Sequence, residues 1–221
     1  MLQQRYRKDY SGEFVVLDTR IANNQVNQQR EWVPNPIENH HISGRAAVIG
    51  SRNGNDRFDF TRLQKHRGGL LGKKRLQTYG AQGLWTDMVF DFFVTKDYIE
   101  ADALALKGYD QRCTVYTTAR IALQHPGRFY LIPYLPTLDV LALSLYVAAF
   151  DEHREIYMFG YCNDTVAGTA NWKTDVSKVM ATYPGTEFIL VGTASNMPDE
   201  WRRHHNVSCM DPRTFVSHCD V

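Results

Sequence analysis

A succession of short apolar runs does most to limit how this chain can fold. Ala46–Ile49, Val89–Val94, Cys113–Tyr116, Phe129–Ile132, Glu155–Phe159 and Phe188–Val191 follow one another from residue 45 onward. Each is brief and mostly continuous, as expected of strands buried on both faces of a parallel sheet. Parallel neighbours need crossover connections, and segments of helical periodicity lie between the runs to supply them. Leu138, Leu141, Ala142, Leu145 and Ala149 recur at helical spacing, as do Trp172, Val176, Val179, Met180 and Tyr183. The second set leaves Lys173, Thr174, Ser177 and Lys178 outward, which predicts an amphipathic helix packed on a sheet. Strands alternating with helices predict a doubly wound α/β domain. At 221 residues and 43% hydrophobic, the chain is long and apolar enough for one such domain with an appended segment.

The appended segment is predicted at residues 1–40, with the α/β domain over 41–221. The first block is polar and rich in Gln, Asn and Arg. Within it Phe14-Val15-Val16-Leu17 and a run ending Glu31-Trp32-Val33 flank the turn-prone Ala22-Asn23-Asn24, the pattern of an antiparallel β-hairpin. Pro34-Asn35-Pro36 stops it, because proline cannot donate to a ladder and restricts the residue before it. A hairpin of this size does not stand alone in water and must dock, on this chain or on a second copy in a homo-oligomer.

Charge and cysteine usage close off several function classes. With 25 Lys+Arg against 24 Asp+Glu the formal net charge is +1, so nucleic-acid binding would need a local patch rather than a global field. No apolar run approaches the roughly 20 residues of a membrane helix. The opening MLQQRYRKDYSGEF has basic residues with no apolar segment behind them, which predicts a cytoplasmic rather than a secreted chain. Cys113, Cys162, Cys209 and Cys219 contain no CxxC pair, so zinc-ribbon and thioredoxin-type sites are excluded on spacing. His204, His205, Cys209, His218 and Cys219 cluster in sequence but match no zinc module. No metal site is assigned, and a role for a divalent metal stays open. GxSxG and HExxH are also absent, which removes the serine-hydrolase and zincin readings.

In open α/β sheets ligands bind beyond the carboxyl ends of the strands, where strand order reverses. The candidate ligand-binding residues are therefore Gly50, Ser51, Arg52, Asn53, Gly54 and Asn55, then Thr95 and Lys96, then Thr117, Tyr134, Gly160 and Tyr161. Small hydroxyl, amide and charged groups at these positions suit a polar ligand such as a nucleotide. Gly50 and Gly54 would let backbone N–H groups approach a phosphate, although glycines also make strand-to-helix turns for structural reasons alone. For acid–base work Asp164 and Asp97 stand directly after buried strands; Asp151 and His153 read better as a solvated loop. A basic stretch includes Arg62, Lys65, Arg67, Lys73, Lys74 and Arg75, interleaved with Gly68, Gly69 and Gly72. Its two readings are a phosphate-tracking loop for nucleic acid and a solvated helix face.

The blocks AAVIGSRNGNDRFDFTRL, DFFVTKDY and REIYMFGYCND resemble the single Rossmann-like domain of the bacterial CMP-sialic-acid-dependent sialyltransferases. Gly50, Asn53, Gly54, Asp59, Phe60, Arg62 and Leu63 echo that family's first block, and Glu155, Ile156, Tyr157 and Gly160 its second. The turn here is SRNGN where that family has NGPS, and Tyr161-Cys162-Asn163 replaces its Ile-Asp-Phe. With HISGRAAVIGSRNGNDRFDFTRLQKHRGG included, the whole chain resembles the phage β-glucosyl-hydroxymethylcytosine α-glucosyltransferases, which add a sugar to already modified DNA bases.

The resemblance implies a nucleotide-sugar donor, UDP-glucose, and modified double-stranded phage DNA as acceptor. Gly50–Asn55 would then hold the donor diphosphate or ribose, and Lys96 or Arg52 would neutralise the departing nucleotide. The stretch 62–75 would follow DNA phosphates. In a retaining transfer Asp164 or Asn163 would stabilise an oxocarbenium-like transition state. In an inverting one Asp97 or Asp164 would deprotonate the acceptor hydroxyl. Two further readings compete: a pyrophosphokinase-like nucleotide-dependent transferase, which would need a carboxylate cluster for Mg²⁺, and a non-catalytic nucleotide-binding protein.

Overall fold

The computed structural model describes residues 13–22, 25–33, 44–51, 58–65, 76–81, 83–132, 137–161 and 171–221; for the first two segments and for 64–65 this means the backbone alone. In chain order these form β1 (Glu13–Ala22), β2 (Gln25–Val33), β3 (Arg45–Ile49), α1 (Thr61–Lys65), β4 (Gln77–Ala81), β5 (Phe92–Val94), α2 (Tyr98–Leu106), β6 (Thr114–Thr117), α3 (Ala119–Ala122), β7 (Tyr130–Leu131), α4 (Val140–Phe150), β8 (Glu155–Phe159), α5 (Trp172–Thr182), β9 (Glu187–Val191), β10 (Val207–Met210) and α6 (Pro212–Cys219). The chain divides into a smaller unit, Met1–His40 with Thr95–Pro136, and a larger one, His41–Val94 with Thr137–Val221.

In the larger unit the strands run β10-β9-β8-β3-β4-β5, and every neighbouring pair is parallel. In the smaller unit β6 and β7 pair in parallel. All of these belong to a Rossmann-like α/β arrangement, as the run-and-helix pattern predicts. The smaller unit also holds the antiparallel ribbon β1–β2, closed by Ala22↔Gln25 and carrying a register shift between Val16 and Asp18. Its first strand lies against α3. None of the described helices is long and apolar enough to cross a membrane.

Each apolar run contributes a strand, but the sheet has two more that no run announces. The first is β4, Gln-Thr-Tyr-Gly-Ala, buried along its whole length. It tolerates Thr78 in the core because Asp91 supplies its partner: Thr78 donates to Asp91 Oδ2 through N (3.0 Å) and Oγ1 (3.1 Å). Gly80 is required by packing, since a Cβ there would sit 2.5 Å from the ring of the fully buried Phe90. The second is β10, a half-exposed four-residue edge strand.

Helix α4 is buried on every side from Leu141 to Ala149, packed between the sheet and α5. Its start is fixed by a two-carboxylate relay. Asp139 Oδ1 accepts from Leu141 N at 2.9 Å, and Asp139 N in turn donates to Asp175 Oδ2 on α5 at 2.9 Å. Lys178, one turn along α5, balances Asp175 at 2.8 Å. At the amino ends of β3 and β8 the Glu155 carboxylate gathers Tyr157 Oη (2.6 Å) and Arg45 Nε (2.8 Å), with His218 of α6 3.7 Å away. Burial pushes the Glu155 carboxyl up, but these partners outweigh it and hold it below its ordinary value. Asp151 and His153, expected in a solvated loop, are instead fully buried: Tyr79 Oη donates to Asp151 Oδ2 at 2.5 Å and lies 2.8 Å from His153 Nε2.

Candidate ligand edge of the sheet

Strand order turns back on itself between β3 and β8: from β3 the chain adds β4 and β5 on one side, then β8, β9 and β10 on the other. In a parallel sheet that reversal sends the following connections to opposite faces and opens a crevice at the carboxyl ends. Gly50-Ser51 and Gly160-Tyr161 form the floor of this reversal. Gly50 N donates to Phe159 O at 2.9 Å, extending the ladder past the last paired residues. Gly160 adopts φ +72°, and a Cβ there would lie 1.9 Å from the Ser51 carbonyl oxygen. The two strand ends therefore cross backbone against backbone, closer than any side chain permits.

Tyr161 fixes this crossing from below. Its ring is fully buried, 2.8 Å from where a Gly50 Cβ would be, and tilts against Trp172 and Trp201. Its hydroxyl donates to Leu141 O at 2.9 Å, next to Ser144 Oγ at 3.1 Å. Burial drives the Tyr161 phenol well above its ordinary value, so it stays protonated and acts as a donor. Gly50 and Tyr161, expected to meet the ligand, are thus placed as parts that set the shape of the edge. The amide of Gly50 is already committed to the ladder.

On the other side of β3, Asp59 opens α1. Its Oδ1 accepts from Thr61 N (3.0 Å) and Thr61 Oγ1 (2.6 Å). Phe58 and Phe60 turn inward onto Phe159, and Leu63 is buried, while Arg62 is exposed. The Asp-Phe-Thr-Arg-Leu block is therefore a capped, aromatic-anchored turn that presents one cation.

The remaining described candidates lie in the smaller unit. Thr95 is fully buried, and its Oγ1 accepts from Asp97 N at 3.1 Å. Asp97 caps α2, its Oδ1 accepting from Glu100 N at 2.8 Å, so one carboxylate oxygen is already engaged. Lys96 is exposed between them. Thr117 ends β6, fully buried, and its Oγ1 has no hydrogen-bond partner among the described residues. Arg52, Asn53, Gly54, Asn55, Arg67, Lys73, Lys74, Arg75, Tyr134, Asn163 and Asp164 lie outside the described residues, as does the side chain of Lys65.

Sequence reasoning passed over Ser144 and Trp172 as parts of this edge. Ser144 was detectable as the one aliphatic hydroxyl in the apolar run Val140–Phe150, where an unpaired polar group would be costly. Trp201, which carries the ring against which Tyr161 tilts, is fully buried, and its Nε1 donates to Lys173 O at 2.9 Å.

The strand reversal, the glycine crossing and the parallel ladder define a Rossmann-like α/β protein whose strand order turns back between β3 and β8, the place where open α/β sheets in general hold their ligands. No family model matches the chain, and neither a curated protein nor a solved structure matches it.

Proposed function

We propose that this chain is a glycosyltransferase that uses a nucleotide-sugar donor, UDP-glucose, to add a sugar to glucosylated or hydroxymethylated bases of phage DNA. One observation carries the reading. The segments with the expected donor-binding residues (Arg52–Asn55) and the expected catalytic residues (Asn163, Asp164) follow directly from β3 and β8, the two strands joined at the reversal. A diphosphate and the reacting sugar are required side by side in such an enzyme, and this is the place in the fold where a polar ligand is held.

In the transfer, the acceptor hydroxyl oxygen forms a bond to the anomeric carbon as the bond from that carbon to the donor's phosphate oxygen breaks. The electron pair leaves with the nucleoside diphosphate, and Arg52 or Lys96 offsets the charge it gains. The acceptor proton passes to a carboxylate, Asp164 or Asp97, if the configuration inverts, and to the departing phosphate if it is retained. Asn163 supplies a dipole toward the positive charge that develops on the sugar. DNA phosphates would be met by Arg62, Lys65, Arg67, Lys73, Lys74 and Arg75, so acceptor binding should weaken steeply with salt.

The test is thermal stabilisation by UDP-, GDP- and CMP-linked sugars and ATP, with and without Mg²⁺, followed by turnover on hydroxymethylated and glucosylated duplex DNA. A shift with one nucleotide sugar and transfer of its sugar to the DNA is the expected result. A shift with ATP alone would replace this reading with a kinase-like transferase. Asp164→Asn should abolish turnover without lowering the melting temperature, and full activity in that variant removes Asp164 from the mechanism.

A further inference from the structure

A buried hydroxyl without a partner is rare because burial strips its water without returning a hydrogen bond. Thr117 carries such a group at the carboxyl end of β6, where it is fully buried and its Oγ1 meets no partner among the described residues. The position is the ligand side of a parallel strand. Thr95 N donates to Tyr116 O at 3.0 Å and Ile132 N to Thr117 O at 3.0 Å, so three chain segments of the smaller unit end together around it. Thr118, the next residue, heads α3 without capping it through its own hydroxyl.

We propose that Thr117 belongs to a binding edge of the smaller unit that takes a neutral, hydrogen-bonding ring, the chemistry shared by a nucleobase and a pyranose. The surroundings choose neutrality. Val115, Tyr116, Leu131 and Ile132 are buried beside Thr117, whereas the charges of this edge, Lys96, Asp97 and Arg120, are exposed. An ionised group brought against Thr117 would lose more solvation than one hydroxyl returns, whereas a ring has an apolar body and a polar rim that match the site. A hydroxyl this enclosed is reached only once the edge opens, so association should run below the diffusion limit. The inference rests on reading the carboxyl ends of the strands as the ligand side, and it stands apart from whether sugar is transferred.

The experiment uses the full chain and the variants Thr117→Val and Thr117→Ser. Melting temperature is read without ligand, and affinities are measured for uridine, glucose and inorganic pyrophosphate. Valine matches threonine in shape and removes the unmet hydroxyl, so Thr117→Val should melt at or above the wild-type temperature. It should bind the ring that the wild type binds about 5-fold more weakly, the size of one neutral hydrogen bond, with pyrophosphate affinity unchanged. Thr117→Ser should keep the affinity. Which ring loses affinity identifies the source as base or sugar. A fall of several degrees in Thr117→Val would show that the fold itself uses the hydroxyl and would overturn the proposal. So would unchanged affinity for both rings, or a wild type that binds neither. A wild type that binds a ring but never glucosylates DNA would instead count against the glycosyltransferase reading and leave the Thr117 assignment standing.

Discussion

Substituting Gly160 measures how tightly β3 and β8 cross at the edge. Two costs add at this position. Alanine at φ +72° enters the left-handed region, worth about 1–2 kcal/mol. Its Cβ would also lie 1.9 Å from the Ser51 carbonyl oxygen and 2.7 Å from Ser51 N. That obstacle is backbone just past the end of β3 rather than a flexible side chain, and forced repacking of this kind costs about 1–3 kcal/mol. Gly160→Ala should therefore lose about 2–5 kcal/mol, a fall of roughly 10 °C in a protein of this size. Two other glycines separate the terms. Gly83 shares the backbone conformation, at φ +71°, with nothing within 4 Å of its Cβ position, so Gly83→Ala incurs the conformational cost alone. Gly192 has open space and no positive φ, so Gly192→Ala should stay within about 0.5 kcal/mol of wild type. Differential scanning fluorimetry with urea melts would rank the three. A Gly160→Ala loss no larger than that of Gly83→Ala would refute the backbone crossing, and with it the shape assigned to the ligand edge.

Gly80→Ala should destabilise by about 1–3 kcal/mol because its Cβ meets the Phe90 ring at 2.5 Å, and Phe90→Leu should recover part of that loss in a double-mutant cycle. Arg128 holds Asp110 through Nε (2.9 Å) and Nη2 (2.5 Å) and also donates to Ala105 O, a fork that lysine cannot reproduce. Arg128→Lys should accordingly melt several degrees below wild type despite keeping its charge, and equal stability would reduce the pair to a surface contact. The Asp211 carboxylate caps α6, accepting from the Thr214 hydroxyl and from Thr214 N and Arg213 N, which lowers its carboxyl from the ordinary 3.8. A depressed folded-state value means that this cap is fully effective above about pH 3.8 and fades as the pH falls through the lower value. Asp211→Asn keeps an acceptor at the cap but should flatten that acid limb of the stability curve, measured by thermal melts from pH 2 to pH 6.

The fold was largely legible because burial on both faces of a parallel sheet writes itself as continuous apolar sequence. All six runs became strands, and the two spaced sets of apolar residues became α4 and α5. What stayed hidden depends on pairs of residues distant in sequence. The strand β4 contains Gln77, Thr78 and Gly80, so no apolar run marks it, and its burial makes sense only with Asp91 and Phe90 placed against it. The same holds at the edge. Gly50 suggested a phosphate loop, but its lack of a side chain is explained by the Tyr161 ring, more than a hundred residues later. Asp97 reads as an acid–base candidate after a buried strand, and its place before a helix gives one of its oxygens to Glu100 N. Position at a strand end was readable from sequence, whereas the partners that each group already has were not.

The pairing of β3 with β8 carries a consequence for how the chain is made. Arg45–Ile49 is the first strand of the sheet to leave the ribosome, yet one of its two neighbours, Glu155–Phe159, comes more than a hundred residues later. At typical elongation rates the nascent chain waits on the order of 5–20 s with that edge of β3 unpaired. An apolar strand in this state is a template for pairing with other chains. The yield of soluble protein should therefore depend on translation speed and on chaperones that cover apolar segments during synthesis, even where the finished fold is stable.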